Sequence, residues 1–139
     1  MSATGDILDR FLVDVAAGIT GTVTTHRGFR PIEKVPAGAD PYAMTFASAG
    51  ATDQSEDGHR VEIQTFTFAC LIYGRQRTQV VLETWLDEVQ TKLATDRTLN
   101  GLVEWCSITD WEFSNHAEID DTEVADRAVG LGVAAERIV

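Results

Sequence analysis

Basic residues are scarce in this chain. Its 139 residues hold 11 Lys and Arg against 22 Asp and Glu, a formal net charge of −11. Binding to a nucleic-acid backbone relies on Lys and Arg neutralising phosphates, so that role fits poorly. An anionic membrane surface is disfavoured for the same reason. Long apolar runs are missing too. The longest, Phe68–Tyr73, has six residues, whereas a membrane-spanning helix needs about 20. Residues 1–14 carry three Asp and one Arg and lack the basic and apolar regions of a secretory leader. A chain assembled in the cytoplasm is therefore expected. Cysteine is limited to Cys70 and Cys106, expected as buried thiols rather than a disulfide. Proline is confined to Pro31, Pro36 and Pro41.

The rest of the composition is ordinary. A hydrophobic fraction of 44% and a charged fraction of 24% suit one globular domain with its own core. Ile7, Leu8, Phe11, Leu12, Val15 and Ala16 recur at helical spacing and predict a helix over 6–18, capped by Thr4 or Asp6. The β-branched run Thr22–His26 reads as a strand. Residues 27–41 hold all the prolines, so this connector should be extended and outside a sheet interior. Either a binding element or a packed Ω-like cover fits its length.

Alternation predicts a strand from Tyr42 through Phe46, a polar hairpin tip over 50–59, and a long strand over 60–73. In that last strand Val61 and Ile63 share one face, while Phe66, Phe68, Cys70 and Ile72 share the other. A bulge, or an arm reaching a neighbouring subunit, would account for the change of phase. Leu82, Trp85, Leu86, Val89 and Leu93 form one helical stripe within 76–95, closed by the Asn100-Gly101 turn. Val103, Trp105, Ser107, Thr109, Trp111 and Phe113 predict a strand with one aromatic face. A polar turn follows over 114–122. A last strand is expected over 128–135, because Gly130 and Gly132 argue against a helix there. The expected class is α+β, a mainly antiparallel sheet with two helices in the order α-β-β-β-α-β-β and a long β-hairpin arm.

No arrangement for catalysis or metal binding emerges. His26, His59 and His116 lie far apart, and metal-ligand spacings are missing. The pattern Gly130-x-Gly132-x-x-Ala135 matches a loose dinucleotide fingerprint but leaves no room for the acid expected ~20 residues later. Asp110 with Glu112 would place two carboxylates on one strand face, more simply read as solvated side chains. No cofactor and no enzymatic activity are expected. One charge feature stands out. Glu104, Asp110, Glu112, Glu118, Asp120, Asp121, Glu123 and Asp126 follow one another without an intervening Lys or Arg. The bases gather in Arg27, Arg30 and Lys34 and in Arg75 and Arg77. One surface should repel polyanions, and another should dock an acidic partner.

The whole layout resembles the tail terminator family of long-tailed bacteriophages, also called tail completion or tail-to-head joining proteins. The resemblance covers nearly the whole chain. It rests on the N-terminal amphipathic helix, the connector from Arg30-Pro31 through Asp40-Pro41, the long hairpin Tyr42–Tyr73, and the second helix running through Asp96-Arg97-Thr98-Leu99-Asn100-Gly101 into an aromatic strand. The segment Ala128–Ala135 is poorer in aromatic and β-branched residues than that pattern would supply. The resemblance implies a structural virion protein of the tail and neck, assembled in the host cytoplasm. Such proteins form a hexameric ring that ends tube polymerisation and offers the head-joining surface. Its partners would be further copies of itself, the tail tube protein, and a head-tail connector or neck protein. DNA would pass through without being bound, and no membrane is involved. In that frame Glu104, Asp110, Glu112, Glu118, Asp120, Asp121 and Glu123 are candidates for the lumen, and Val61 and Ile63 for the subunit interface. Arg27, Arg30 and Lys34 are candidates for docking tube or neck. A head-closure or minor tail protein of the same particle, or a cytosolic acidic protein-binding module, are the alternatives.

Overall fold

A computed structural model describes residues 2–54, 62–114 and 120–139. Helix α1 spans Ala3–Gly18. Its cap is Ser2 rather than Thr4 or Asp6: the Ser2 Oγ accepts from the Gly5 N–H at 2.9 Å. Ser2 has the extended backbone a cap requires, whereas Thr4 and Asp6 already lie inside the helix. Strand β1 is Thr24–Arg27. A single 3-10 turn at Ile32–Lys34 follows, an element that the residue pattern did not indicate. Strands β2 (Tyr42–Gln54) and β3 (Glu62–Arg77) form the long hairpin. Helix α2 is Gln79–Ala94, and β4 (Trp105–Ser114) and β5 (Ala125–Ile138) complete the chain.

The five strands form one sheet in the order β1-β2-β3-β5-β4. It is antiparallel except for the β1–β2 pair, which is parallel. The glycine-bearing last strand is therefore central, between β3 and β4, and the expected 128–135 is only its middle. The polar stretch expected to form the hairpin tip begins too early, because β2 continues as strand to Gln54. The tip itself, 55–61, lies outside the described residues.

Both helices cover one face of the sheet. Ile7, Leu8, Phe11, Leu12 and Val15 of α1 meet the α2 stripe Leu82, Trp85, Leu86, Val89 and Leu93. Beneath them lie Phe68, Cys70 and Ile72 of β3 and Val129, Leu131 and Val133 of β5. Each fully buried side chain of this size contributes about 1.5–3 kcal/mol, so this layer alone can drive folding. Phe11 and Phe68 meet edge to face at 5.2 Å between ring centres. Both cysteines are free and buried here, and burial pushes both thiols up to about 12.

The connector closes part of the opposite face. Val35 and Ala39 pack on Tyr42, Met44, Tyr73 and Ala128. Arg75 donates to the Val35 carbonyl at 2.9 Å, and Arg77 pairs with Asp40 at 3.1 Å. Those two arginines thus tie the connector down and are not spare cations for an outside partner. The connector is anchored to the sheet through Val35 and Ala39, while Phe29, Ile32 and Lys34 stay exposed.

The change of phase in β3 is real. Its pairing with β5 runs without a break from Ile63 to Gly74, so Ile63 faces the side opposite Phe66 and Phe68. The bulge lies instead in β2, between Ala47 and Ala49. A second bulge, between Ile108 and Asp110 in β4, corrects the expectation of a single aromatic face. Trp105 and Ser107 lie on the open face, while Trp111 and Phe113 lie on the helix side, opposite Leu131 and Val129.

Candidate functional site

Away from the connector, the face opposite the helices is open. Its floor is built of small side chains: Ala49 and Ala51 of β2, Thr65, Thr67 and Ala69 of β3, and Gly130, Gly132 and Ala134 of β5. Asp110 and Glu112 rise from β4 opposite Gly132 and Gly130, and both are exposed. A Cβ at 132 would meet the Asp110 carboxylate, so the exposed Asp110 side chain keeps its place across the sheet only because residue 132 is glycine. That carboxylate also accepts from the Thr109 hydroxyl at 2.8 Å. Gly132 therefore lets the Asp110 carboxylate lie across the sheet, while a Cβ at Gly130 would meet only the Leu71 side chain and the Glu112 carbonyl at ordinary distance.

Glu104 stands exposed just before β4, and its N–H donates to the Glu136 carbonyl at 2.7 Å. Asp120, Asp121 and Glu123 occupy the exposed turn that leads into β5. Glu118 lies outside the described residues. So does Val61, while its companion Ile63 is half-buried on the open face beside Ile138. The structure thus gathers Asp110 and Glu112 on one face and Asp120, Asp121 and Glu123 in one turn, rather than forming a single continuous acid patch.

A residue not singled out from the sequence holds that turn. Arg127 is 1% exposed. Its Nη2 donates to the carbonyls of Asp120 at 2.9 Å and Glu123 at 2.8 Å, and its Nε to the carbonyl of Arg77 at 2.8 Å. The Asp121 carbonyl accepts from the Gln79 N–H at the start of α2, at 3.0 Å. A lone arginine among Ala125, Ala128 and Val129 was the available signal, since a buried cation must find partners.

The basic candidates sit on the other flank. Arg27 belongs to β1 rather than to the connector, and pairs with Asp9 at 3.6 Å with both partners exposed. The Arg30 backbone N–H donates to the Met44 sulfur at 3.3 Å. Lys34 is exposed on the 3-10 turn, near the exposed Phe29 and Ile32. Phe29 stacks edge-on against Phe46 at 5.5 Å. A depression of about 380 Å³ lies where the connector meets the sheet end, lined by Ile32, Tyr73, Asp126 and Arg127 among others. Burial, with the charge of Asp126, raises the Tyr73 phenol above its ordinary value.

One further charged group lies between the helices. Asp14 is buried, with Arg10 at 3.7 Å. Arg10 also donates to Asp96 at 3.1 Å. Burial first, then the neighbouring Asp96 carboxylate, pushes Asp14 up to about 7, while coupling to Asp14 and its bonds to Asn100 and Arg10 lower Asp96. Among the described residues, no three His, Cys, Asp or Glu side chains gather as a metal set, and no helix is long and apolar enough to cross a membrane. The chain matches no protein-family model and no curated protein.

Proposed function

We propose that this chain is a structural virion protein of the tail terminator type. It forms a ring, hexameric in this reading, at the head-proximal end of a phage tail tube. There it ends tube polymerisation and offers the surface to which the head joins. One observation carries the reading: the helices build a self-sufficient core on one sheet face, while the other face is flat, open and acidic. Two exposed acids on that face, Asp110 across Gly132 and Glu112 opposite Gly130, add nothing to the core but suit a conduit for DNA. A lumen should repel phosphates, since each facing Lys or Arg would add a contact that slows transit. Asp110 and Glu112 are the lining in this reading, with Glu104 and the turn acids Asp120, Asp121 and Glu123 toward its rims.

The described part of the long hairpin does not project as an arm, since β3 stays paired with β5 out to Ile63; in this reading the hairpin's outer edge and Ile63 on its open face meet the neighbouring copy. Arg30, Lys34 and the exposed Phe29 and Ile32 on the connector are the docking surface for tube or neck. The role is architectural, not catalytic.

Electron microscopy of particles made without this protein, beside a complemented control, tests the proposal. Overlong tails detached from full heads are expected. Normal-length tails with unjoined heads would move the protein to head closure. Unaltered particles would overturn a virion role and favour an acidic protein-binding module.

A further inference from the structure

Besides the outer side of the four-residue β1, the sheet leaves two longer stretches of edge unpaired among the described residues. One is β4, ten residues from Trp105 to Ser114, which pairs only with β5. The other is the distal half of β2. Strand β1 covers β2 only from Tyr42 to Thr45, so Phe46–Gln54 pairs with β3 alone. Free edges normally carry a charge, a proline or a very short strand to prevent pairing with another chain. From Phe46 through Thr52, Phe-Ala-Ser-Ala-Gly-Ala-Thr, the β2 edge carries neither charge nor proline; its bulge lies at Ala47/Ala49 and its one acid, Asp53, stands beyond. Such an edge is suited to being covered.

We infer that the β4 edge of one copy pairs with the distal β2 edge of the next, extending the sheet from subunit to subunit. The inference rests on the ring reading above and supplies its contact. Three features point to a second copy. The first is direction: β4 runs antiparallel to β2 within the sheet. A copy brought alongside in the same orientation therefore offers an antiparallel edge, the more stable pairing.

The second is register. With Ser114 set beside Phe46, the first uncovered residue, Trp111 falls beside Gly50 and Asp110 beside Ala51. The β2 bulge at Ala47/Ala49 and the β4 bulge at Ile108/Asp110 then keep like faces together along the contact. Trp111 and Gly50 both lie on the helix side of their sheets. Trp111 is 50% exposed in the single chain, and a run of small residues is what a bulky indole needs to lie against.

The third is charge. Pairing β4 with another β4 would bring Asp110 and Glu112 against their own copies, and like charges facing across strands are destabilising. The β2 edge puts Ala51 and Ala49 opposite them instead. Such a contact uses two different patches, so it repeats head to tail and closes into a ring when the rotation permits.

Gly50→Lys and Trp111→Lys test the contact in the full chain. A Cβ at Gly50 would meet only the Thr65 carbonyl, at an ordinary 3.5 Å, and Trp111 is half exposed, so both variants should fold. Sedimentation velocity should show the half-assembly concentration rising at least tenfold in each, with the monomer's melting temperature unchanged. Separately, the paired change Gly50→Cys with Trp111→Cys should crosslink on oxidation into a covalent ladder, while each single change gives monomers. Efficient dimers from either single cysteine would overturn head-to-tail pairing. Wild-type rings that persist in both lysine variants would overturn the edge contact and leave the ring reading intact. A wild-type chain that forms no ring, alone or on tube ends, would overturn both.

Discussion

Replacing Arg127 with methionine should loosen the acid turn and cost a large share of the protein's stability. The guanidinium is buried and makes three short bonds to backbone carbonyls, those of Arg77, Asp120 and Glu123, at 2.8–2.9 Å. A fourth contact, to the Gln79 side chain, is long at 3.4 Å. Bonds to a charged group are worth about 1.5–3 kcal/mol each. Two of the three acceptors lie in an exposed turn and regain water once the turn opens, which returns part of that sum. A loss of about 3–5 kcal/mol follows, about two such bonds once that return is discounted. Replacing a buried ion pair by apolar residues can be neutral, but here the partners are main-chain carbonyls that no substitution removes. Urea unfolding followed by circular dichroism measures the loss. Arg127→Lys should recover only part of it, because one ammonium cannot serve three carbonyls in different directions. Exchange of the Gln79 amide, bonded to the Asp121 carbonyl, should quicken more than exchange in α1. A loss under about 1 kcal/mol in Arg127→Met would refute the idea that this side chain holds the turn.

Asp14 makes stability fall as pH rises. Its folded value, about 7, lies above the ordinary 3.8, so the native state binds the extra proton between those limits. The stability it contributes is present at pH 4 and lost on passing pH 7; the lowered Asp96 acts only below its ordinary value. Asp14→Asn should remove up to about 4 kcal/mol of that slope and stabilise the protein at pH 8; melting curves that keep the wild-type pH dependence would disprove it. Gly74→Ala should cost about 1–3 kcal/mol, because a Cβ would sit 2.6 Å from the Trp85 ring, and a melting temperature equal to wild type would contradict that contact. Both thiols should resist a thiol reagent in the native state and react fully in denaturant, since both are buried and pushed up to about 12; native labelling within minutes would count against their placement.

Much of the fold follows from periodicity alone. The stripe Leu82, Trp85, Leu86, Val89 and Leu93 is buried residue for residue, because an amphipathic helix leaves only one way to hide that set. The opposite faces of Ile63 and Phe66 were legible for the same reason, since period two leaves no freedom once a strand is unbroken. What periodicity could not supply was the position of bulges. One extra residue at Thr109 turns Trp111 away from Trp105, and nothing in the local composition marks it. The centrality of β5 was hidden too. Its glycines look like weak strand formers until Asp110 is seen lying across Gly132. The acids were countable from the sequence, but their division between a face and a turn depends on strand pairing. Arg127 was passed over because a single arginine in a strand looks like a solvated side chain until its carbonyl partners are brought together.

The distribution of apolar contact separates what the monomer needs from what it leaves available. The helix side contains α1, α2 and the even-numbered residues of β3 from Phe66 to Ile72, all packed together. The connector covers only the end of the other face near Tyr42 and Tyr73. Beyond that end the sheet continues for the length of the hairpin, with small side chains on its floor and acids along one strand. An antiparallel sheet often leaves one face to water in a lone chain, but an unpaired, uncharged stretch of edge invites pairing with another chain. Acids restrain unwanted contact along β4, whereas the β2 edge is uncharged from Phe46 to Thr52 and meets its one acid only at Asp53. The asymmetry makes sense if one edge must refuse its own kind while accepting the other. In that reading association would use the same strands that complete the monomer and leave the helical core undisturbed.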